Sequence, residues 1–138
     1  MDAFDADVLI YAAVPGHRLG TPVLALFPEE PPDTAGIFAG VGSTLLLVEM
    51  LTKPTGDAAD EEVAALATLL ARLDLRPVDE AIALLAVALG ASYRLRSADA
   101  VHLATAVSTG ADRFITNNRR DFSQSIEEVS VTYPTDLL

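Results

Sequence analysis

This 138-residue chain contains no cysteine and no long uninterrupted apolar run. The absence of thiols excludes a disulfide framework and a thiolate metal site. The longest uncharged segment, residues 34–48, is interrupted by glycine and serine and ends before Glu49. Because a membrane-spanning helix needs roughly 18 apolar residues, the sequence predicts no membrane segment.

Basic residues are also scarce, at 9 lysines and arginines against 20 aspartates and glutamates, and the formal net charge is -11. This balance opposes a large nonspecific nucleic-acid surface. A polyanionic substrate would therefore need local help from a bound metal, or from the pairs Arg94 with Arg96 and Arg119 with Arg120. The first ten residues lack the basic start of a secretory signal and contain three aspartates, so we expect a cytoplasmic protein.

The chain does contain enough apolar residues for one packed domain. Its composition is 51% hydrophobic and 21% charged, which is typical of a globular domain and not of a disordered tail. A chain of this length buries about two thirds of the surface that its unfolded form exposes. We therefore predict a single domain over residues 1–138.

Strand-like and helix-like segments alternate along the sequence. Residues 3–11 are almost continuously apolar and are predicted to form a buried parallel strand that runs into a turn. The other predicted strands are 36–42, 74–78, 113–116 and 128–133, the predicted helices are 22–28, 44–54, 61–73, 80–95 and 98–110, and a loop is predicted at 28–33. Predicted helix caps are Ser43, Asp79 and Ser97, and predicted helix ends are Pro54 and Gly110. The alternation favours an α/β sandwich with a largely parallel sheet.

Four segments distant in the chain bring carboxylates or amides toward one edge of this predicted sheet. They contain Asp5 and Asp7 late in the first strand, Glu49 on the helix after the second strand, Asp99 in the first turn of a later helix, and Thr116, Asn117 and Asn118 at the end of strand 113–116. Ligands of such sheets bind at the carboxyl ends of the strands. Mg²⁺ and Mn²⁺ take oxygen ligands, usually including carboxylates, so the pattern predicts a divalent metal site.

Each of these residues also has a purely structural interpretation. Asp5, within an apolar run, is the hardest to explain in that way, and Glu49 lies on a helix that is apolar on nearly every side. Three roles remain open for Asp7: a hydrogen bond to a nearby backbone amide, orientation of Asp5, or ligation of a metal through water. Asp99 can simply favour the helix dipole. His102 follows it on the same helix face, and we predict a hydrogen-bonded packing residue there instead of a metal ligand.

Four motifs follow one another in order: FDADVLIY at 4–11, STLLLVEML at 43–51, LRSADAVHLATAVSTGADRFIT at 95–116 and TNNRRDF at 116–122. Together they resemble the PIN domain family, and most closely the VapC-type toxins of bacterial toxin-antitoxin pairs. The resemblance covers essentially the whole chain, and its last part is the most specific. It implies a three-layer α/β/α sandwich with a central, mainly parallel sheet.

The resemblance also implies a function, a metal-dependent ribonuclease (an endonuclease, hence a hydrolase) that uses Mg²⁺ or Mn²⁺. Carried over by motif, Asp5, Glu49 and Asp99 are the family's first three acids and hold the metal. The metal would lower the pKa of a bound water, which attacks an RNA phosphodiester while a nearby carboxylate receives the proton. The implied partners are the RNA substrate, a VapB-like antitoxin whose basic segment suits an acidic toxin, and a second copy of the chain, bound through apolar helices around 62–89.

The chain departs from the family pattern at the fourth acid. That acid usually follows a Thr-Asn pair, and here Asn118 occupies the position, as an amide that brings no charge. Asp7 stands where the family often has Asn or Ser, so its charge and metal ligation can partly compensate. Asp121 is another candidate substitute, and Thr116 is implied to position a water or a phosphate.

Two other functions remain open from the sequence. The opening FDADVL also looks like the Asp-x-Asp of haloacid-dehalogenase-type phosphatases, with Asp5 as nucleophile and Asp7 as acid/base. That chemistry needs a downstream lysine, and Lys53 is the only lysine in the chain. The second alternative, suggested by Asn118, is a catalytically degenerate PIN-like domain that acts as a protein-binding module.

Overall fold

The computed structural model of the chain describes residues 1–27 and 37–138. The loop predicted at 28–33 lies outside these ranges. Within them, no single helix is long and apolar enough to cross a membrane, although two consecutive helices, Glu80–Tyr93 and Ser97–Ser108, bent by 113° at their junction, meet that requirement together on length and composition alone.

Strands and helices alternate through the described residues and build one parallel sheet. The strands are β1 (Asp2–Phe4), β2 (Gly40–Ser43), β3 (Leu73–Arg76), β4 (Arg113–Ile115) and β5 (Ser130–Thr132). The helices are α1 (Ala6–Ala12), α2 (Gly20–Leu24), α3 (Leu45–Gly56), α4 (Asp60–Leu70), α5 (Glu80–Tyr93) and α6 (Ser97–Ser108), followed by a 3₁₀ helix at Pro134–Leu137. The sheet order is β3-β2-β1-β4-β5, with every neighbouring pair parallel.

Two apolar cores lie on opposite faces of the sheet. Ala3 and Phe114 belong to the core that includes α5 and α6, whereas Phe4 and Ile115 belong to the core that includes α1, α3 and α4. Neighbouring residues of one strand thus enter different cores, because side chains alternate across a strand. This arrangement confirms the predicted three-layer α/β/α sandwich and its parallel sheet.

The first helix occupies most of the segment predicted as the first strand. β1 ends after three residues, and Asp5 caps α1 by accepting a hydrogen bond from the Ala6 N–H at 2.8 Å. The helix buries Val8, Leu9 and Ala12. The prediction of a strand over 3–11 is therefore wrong, because an apolar run alone does not separate a buried strand from a short buried helix. Asp5 and Asp7 stand at the start of a helix and not late in a strand.

The predicted helix boundaries are only partly right. Asp79 caps α5, since its carboxylate accepts from the N–H of the third helical residue at 2.9 Å, and Gly110, at φ 69°, follows α6 as expected. The Ser43 hydroxyl oxygen accepts a hydrogen bond from the first N–H of α3 at 3.0 Å, although Thr44 occupies the cap position itself. Ser97 is not a cap, because it is the first residue of α6 and that helix has no side-chain cap bond. Pro54 does not end α3, which continues for two more residues to Gly56.

Candidate active site

Asp5 lies directly after the central strand, where two parallel strands end together. Phe4 and Ile115 are paired in register, so the residues that follow them, Asp5 and Thr116, emerge side by side. Asp5 is only 6% exposed, and its second oxygen accepts a hydrogen bond from the Thr116 hydroxyl at 2.8 Å. That fully buried hydroxyl accepts in turn from the Asn118 N–H at 3.1 Å. The Thr116 hydroxyl thus links Asp5 to the backbone after β4 and holds the Asp5 carboxylate in place.

Asp7 connects the first turn of α1 to the segment after β4. One carboxylate oxygen accepts from the Val8 N–H at 2.7 Å and the other from the Asn117 N–H at 3.1 Å. Burial and then the charge of Asp5 raise the pKa of Asp7 from its ordinary 3.8 to about 7, although the two backbone hydrogen bonds act in the opposite direction. The sequence left three roles open for Asp7: a backbone hydrogen bond, support of Asp5, and metal ligation through water. The structure shows the first of these, with two backbone N–H donors.

Glu49 and His102 join α3 to α6 within the site. A carboxylate oxygen of Glu49 contacts Nε2 of His102 directly. The histidine is 2% exposed, while the Glu49 side chain is 34% exposed. The prediction that His102 is a hydrogen-bonded packing residue is confirmed, but nothing in the sequence indicated that its partner is Glu49, which lies 53 positions away.

Asp99 completes a group of carboxylates that raise one another's proton affinity. Burial, followed by the charges of Asp5 and Asp121, raises the pKa of Asp99. Burial likewise raises the pKa of Asp5, whereas the neighbouring His102 and the Thr116 hydrogen bond lower it. Raised pKa values of this kind arise where buried acids gather without enough positive charge around them.

The chemistry of these donors fits Mg²⁺ or Mn²⁺, which prefer carboxylate oxygens. The described residues nevertheless contain no group of three or more His, Asp or Glu side chains that could hold a metal ion in their present positions. Glu49 contacts His102 through one of its two carboxylate oxygens, whereas both oxygens of Asp5 already accept hydrogen bonds, from Thr116 and from the start of α1. Binding of one ion by several of these acids therefore requires some of the side chains to move.

Asn118, at the usual position of a fourth acid, faces Asp121. Its Nδ2 donates to an Asp121 carboxylate oxygen at 3.0 Å, and its Oδ1 accepts from the Asp121 N–H at 3.3 Å. The Asn118 amide is thus used to orient Asp121, whose charge acts on Asp99. A carboxylate three residues further along the chain is thus held close enough for its charge to raise the pKa of Asp99.

Lys53, the lysine that the phosphatase alternative needs, is not placed to serve Asp5. Its ammonium pairs with Asp57 at 2.7 Å on the exposed side of α3. Nothing in the described residues therefore supports a phosphoaspartate site at Asp5.

The fold and the site together define an α/β/α protein with an acidic centre at the carboxyl edge of a parallel sheet. A family model described as PIN domain matches residues 3–125. The chain belongs to the PIN domain family, as its motifs predicted.

Solved structures share this fold over nearly the full chain. A toxin-antitoxin complex from Klebsiella pneumoniae is 24% identical, with 97% of this chain and 98% of that chain covered and a TM-score of 0.74. VapBC2 from Rickettsia felis, bound to a DNA fragment from its promoter, is 14% identical, with 96% and 97% covered and a TM-score of 0.70. VapBC-1 from nontypeable Haemophilus influenzae is 18% identical, with 97% and 98% covered and a TM-score of 0.68. A comparison with curated protein sequences found no match.

Proposed function

We propose that this chain is a single-domain, divalent-metal-dependent ribonuclease that hydrolyses RNA phosphodiester bonds, and that it is the toxin of a VapBC-like pair. Membership of the PIN family supports a nuclease, since PIN domains are typically nucleases that use divalent metal ions. The observation that carries the proposal is the gathering of Asp5, Asp7 and Asp99, whose pKa values are all raised. A divalent cation would relieve this accumulation of negative charge.

In this proposal, Asp5, Glu49 and Asp99 hold the ion, and Asp7 adds a ligand or negative charge beside them. A bound divalent ion supplies charge stabilisation at a phosphodiester and promotes ionisation of water. Hydrolysis adds water to the phosphorus and breaks one of its bonds to a ribose oxygen. The attacking water gives up a proton, and a carboxylate of the group, with its raised proton affinity, accepts it. No covalent enzyme intermediate is required.

The residues after β4 have supporting roles in the same proposal. Thr116 fixes Asp5 through its hydroxyl, and Asn118 fixes Asp121, which we propose as the fourth carboxylate. Asn118 thus acts by orientation and does not bring charge itself. This division of roles explains how an amide stands at a position where the family usually has an acid.

Arginines on two segments flanking the acids are proposed as contacts for RNA phosphates. None of the ion pairs among the described residues includes Arg94, Arg96 or Arg120. Arg119 lies over the Tyr133 ring at 4.3 Å and donates to a threonine hydroxyl, so its charge is not neutralised. Phosphate contacts position a nucleic acid without reading its sequence, which is what a protein of net charge -11 needs beside its acidic centre.

We also propose two protein partners. An antitoxin of the VapB type is supported by the similar structures, which are a toxin-antitoxin complex and two VapBC assemblies. A homodimer is supported by the apolar side chains that α5 exposes to solvent, Leu84 at 63% and Val87 at 68%. Apolar area of this kind on a helix is commonly buried against another chain.

A binding module without catalysis is the second candidate. It is favoured by Asn118 and by the absence, among the described residues, of three acids already arranged around one point. It retains the fold and the partner surfaces while binding metal poorly.

Cleavage of RNA by the purified protein, freed of any antitoxin, separates the two candidates. A mixed cellular RNA pool is incubated with Mg²⁺, Mn²⁺ or EDTA, beside Asp99→Asn and the control Glu62→Gln, which alters an exposed acid of α4. We expect cleavage by wild type and control with metal, and none with EDTA or with Asp99→Asn. If the folded wild type is inert with both metals, the ribonuclease proposal is wrong and the binding module is the better function.

A further inference from the structure

His102 has a feature that the proposed mechanism does not use. One of its two ring nitrogens, Nε2, contacts the Glu49 carboxylate, and the other, Nδ1, is buried and has no hydrogen-bond partner among the described residues. The ring is almost completely buried between α6 and the rest of the core. Its position and orientation are therefore fixed by packing.

The unpartnered nitrogen indicates which tautomer the ring adopts. A proton on Nδ1 would be a buried N–H without an acceptor, while an unprotonated Nδ1 leaves only a lone pair unused. A proton on Nε2 can be donated to Glu49. The geometry thus favours a ring whose Nε2–H points at the carboxylate.

Glu49 is held by fewer contacts than Asp5 or Asp7. Its side chain is one-third exposed, whereas Asp5 is held by the Thr116 hydroxyl and by a backbone N–H. Within the described residues, His102 is the hydrogen-bond partner of the Glu49 carboxylate. A flexible side chain at a partly exposed position otherwise has many conformations open to it.

We infer that His102 is a positioning residue, which holds Glu49 toward the acidic centre by donating a hydrogen bond from Nε2. This inference rests on the proposed function, because it assigns Glu49 to the metal site. His102 and Asp99 lie three residues apart on α6, so one helix supplies one acid directly and orients a second. Residues behind metal ligands commonly act in this way.

The test measures Mn²⁺ binding by calorimetry, without RNA, for wild type, His102→Leu, His102→Gln and the control Leu103→Val. Leucine keeps bulk but removes the donor, glutamine retains an N–H, and the control perturbs the core on the same helix. We expect Kd to rise about tenfold in His102→Leu, to recover at least in part in His102→Gln, and to stay within about twofold in the control. In a Glu49→Gln background, His102→Leu should add little, because the two changes act on one contact.

Each outcome decides between the alternatives. Mn²⁺ affinity in His102→Leu that equals or exceeds that of the wild type overturns the inference, as does a glutamine variant no better than leucine, while the proposed function stands. A folded wild type that binds no Mn²⁺ overturns the proposed function and this inference with it. Ring ¹⁵N chemical shifts of the metal-free protein give an independent readout: a proton found on Nδ1 in place of Nε2 refutes the tautomer on which the positioning depends.

Discussion

Substituting Asp7 by asparagine should stabilise the metal-free protein at alkaline pH and not at acidic pH. The pKa of Asp7 is about 7 in the folded protein and 3.8 as its ordinary value. Between these values the folded state binds more protons than the unfolded state, so stability falls as pH rises. The loss of folding free energy caused by ionising the buried Asp7 is absent below about pH 4 and complete above about pH 7.

The size of the effect follows from the two pKa values and the hydrogen bonds. A difference of about three pH units, at about 1.4 kcal/mol per unit, gives at most about 4 kcal/mol. Asparagine has one oxygen, so it loses one of the two backbone bonds, from Val8 or Asn117, at a cost of about 1 kcal/mol. Asp7→Asn should therefore gain up to about 3 kcal/mol at pH 8, and differ from wild type by no more than about 1 kcal/mol at pH 4.

Urea unfolding in EDTA at pH 4, 6 and 8 measures this difference. Glu62→Gln is the control, because it removes one negative charge from an exposed position and so corrects for the general repulsion in a chain of net charge -11. A gain that is equal at all three pH values, or no gain at pH 8 beyond that of the control, would refute the reasoning. Added Mn²⁺ should stabilise wild type more than Asp7→Asn, since the ion relieves the same repulsion.

Four further substitutions test the fold and the site. Asp79→Ala removes the cap of α5 and should lower the urea-derived unfolding free energy by about 1 kcal/mol. Gly20→Ala places a Cβ onto the carbonyl oxygen of Tyr11 and should cost about 2 kcal/mol or more, whereas Gly56→Ala, with open space around it, should cost almost nothing in the same assay. Asp121→Asn should weaken Mn²⁺ binding in calorimetry about tenfold, and unchanged affinity would remove Asp121 from the proposed site.

Most of the architecture was predictable because it depends on local patterns. Alternating strand and helix segments indicated the parallel sandwich, and the Asp79 cap was visible from its position before an apolar helix. The segment 3–11 was misassigned because Val8, Leu9 and Ile10 satisfy a buried strand and a short helix equally well. What distinguishes the two here is the Asp5 cap, and that residue was assigned chemical roles but not predicted as a helix cap.

The site was predictable where it follows from topology and unpredictable where it follows from packing. Asp5 and Thr116 come together because parallel strands end at the same edge of the sheet. The contact between Glu49 and His102 depends instead on how α3 and α6 are placed relative to each other, which no local pattern specifies. The rotation of Asn118 toward Asp121 is likewise a property of the folded loop.

The hydrogen bond between Asp5 and Thr116 spans 111 positions, nearly the whole chain. During synthesis the amino-terminal acid leaves the ribosome long before the hydroxyl that holds it, and the sheet cannot gain its β1–β4 pairing until residue 115 has been made. Contacts this distant in sequence form late in folding. A nascent chain, surrounded by messenger and ribosomal RNA, is therefore without a formed acidic centre until the segment that contains Thr116 has been made.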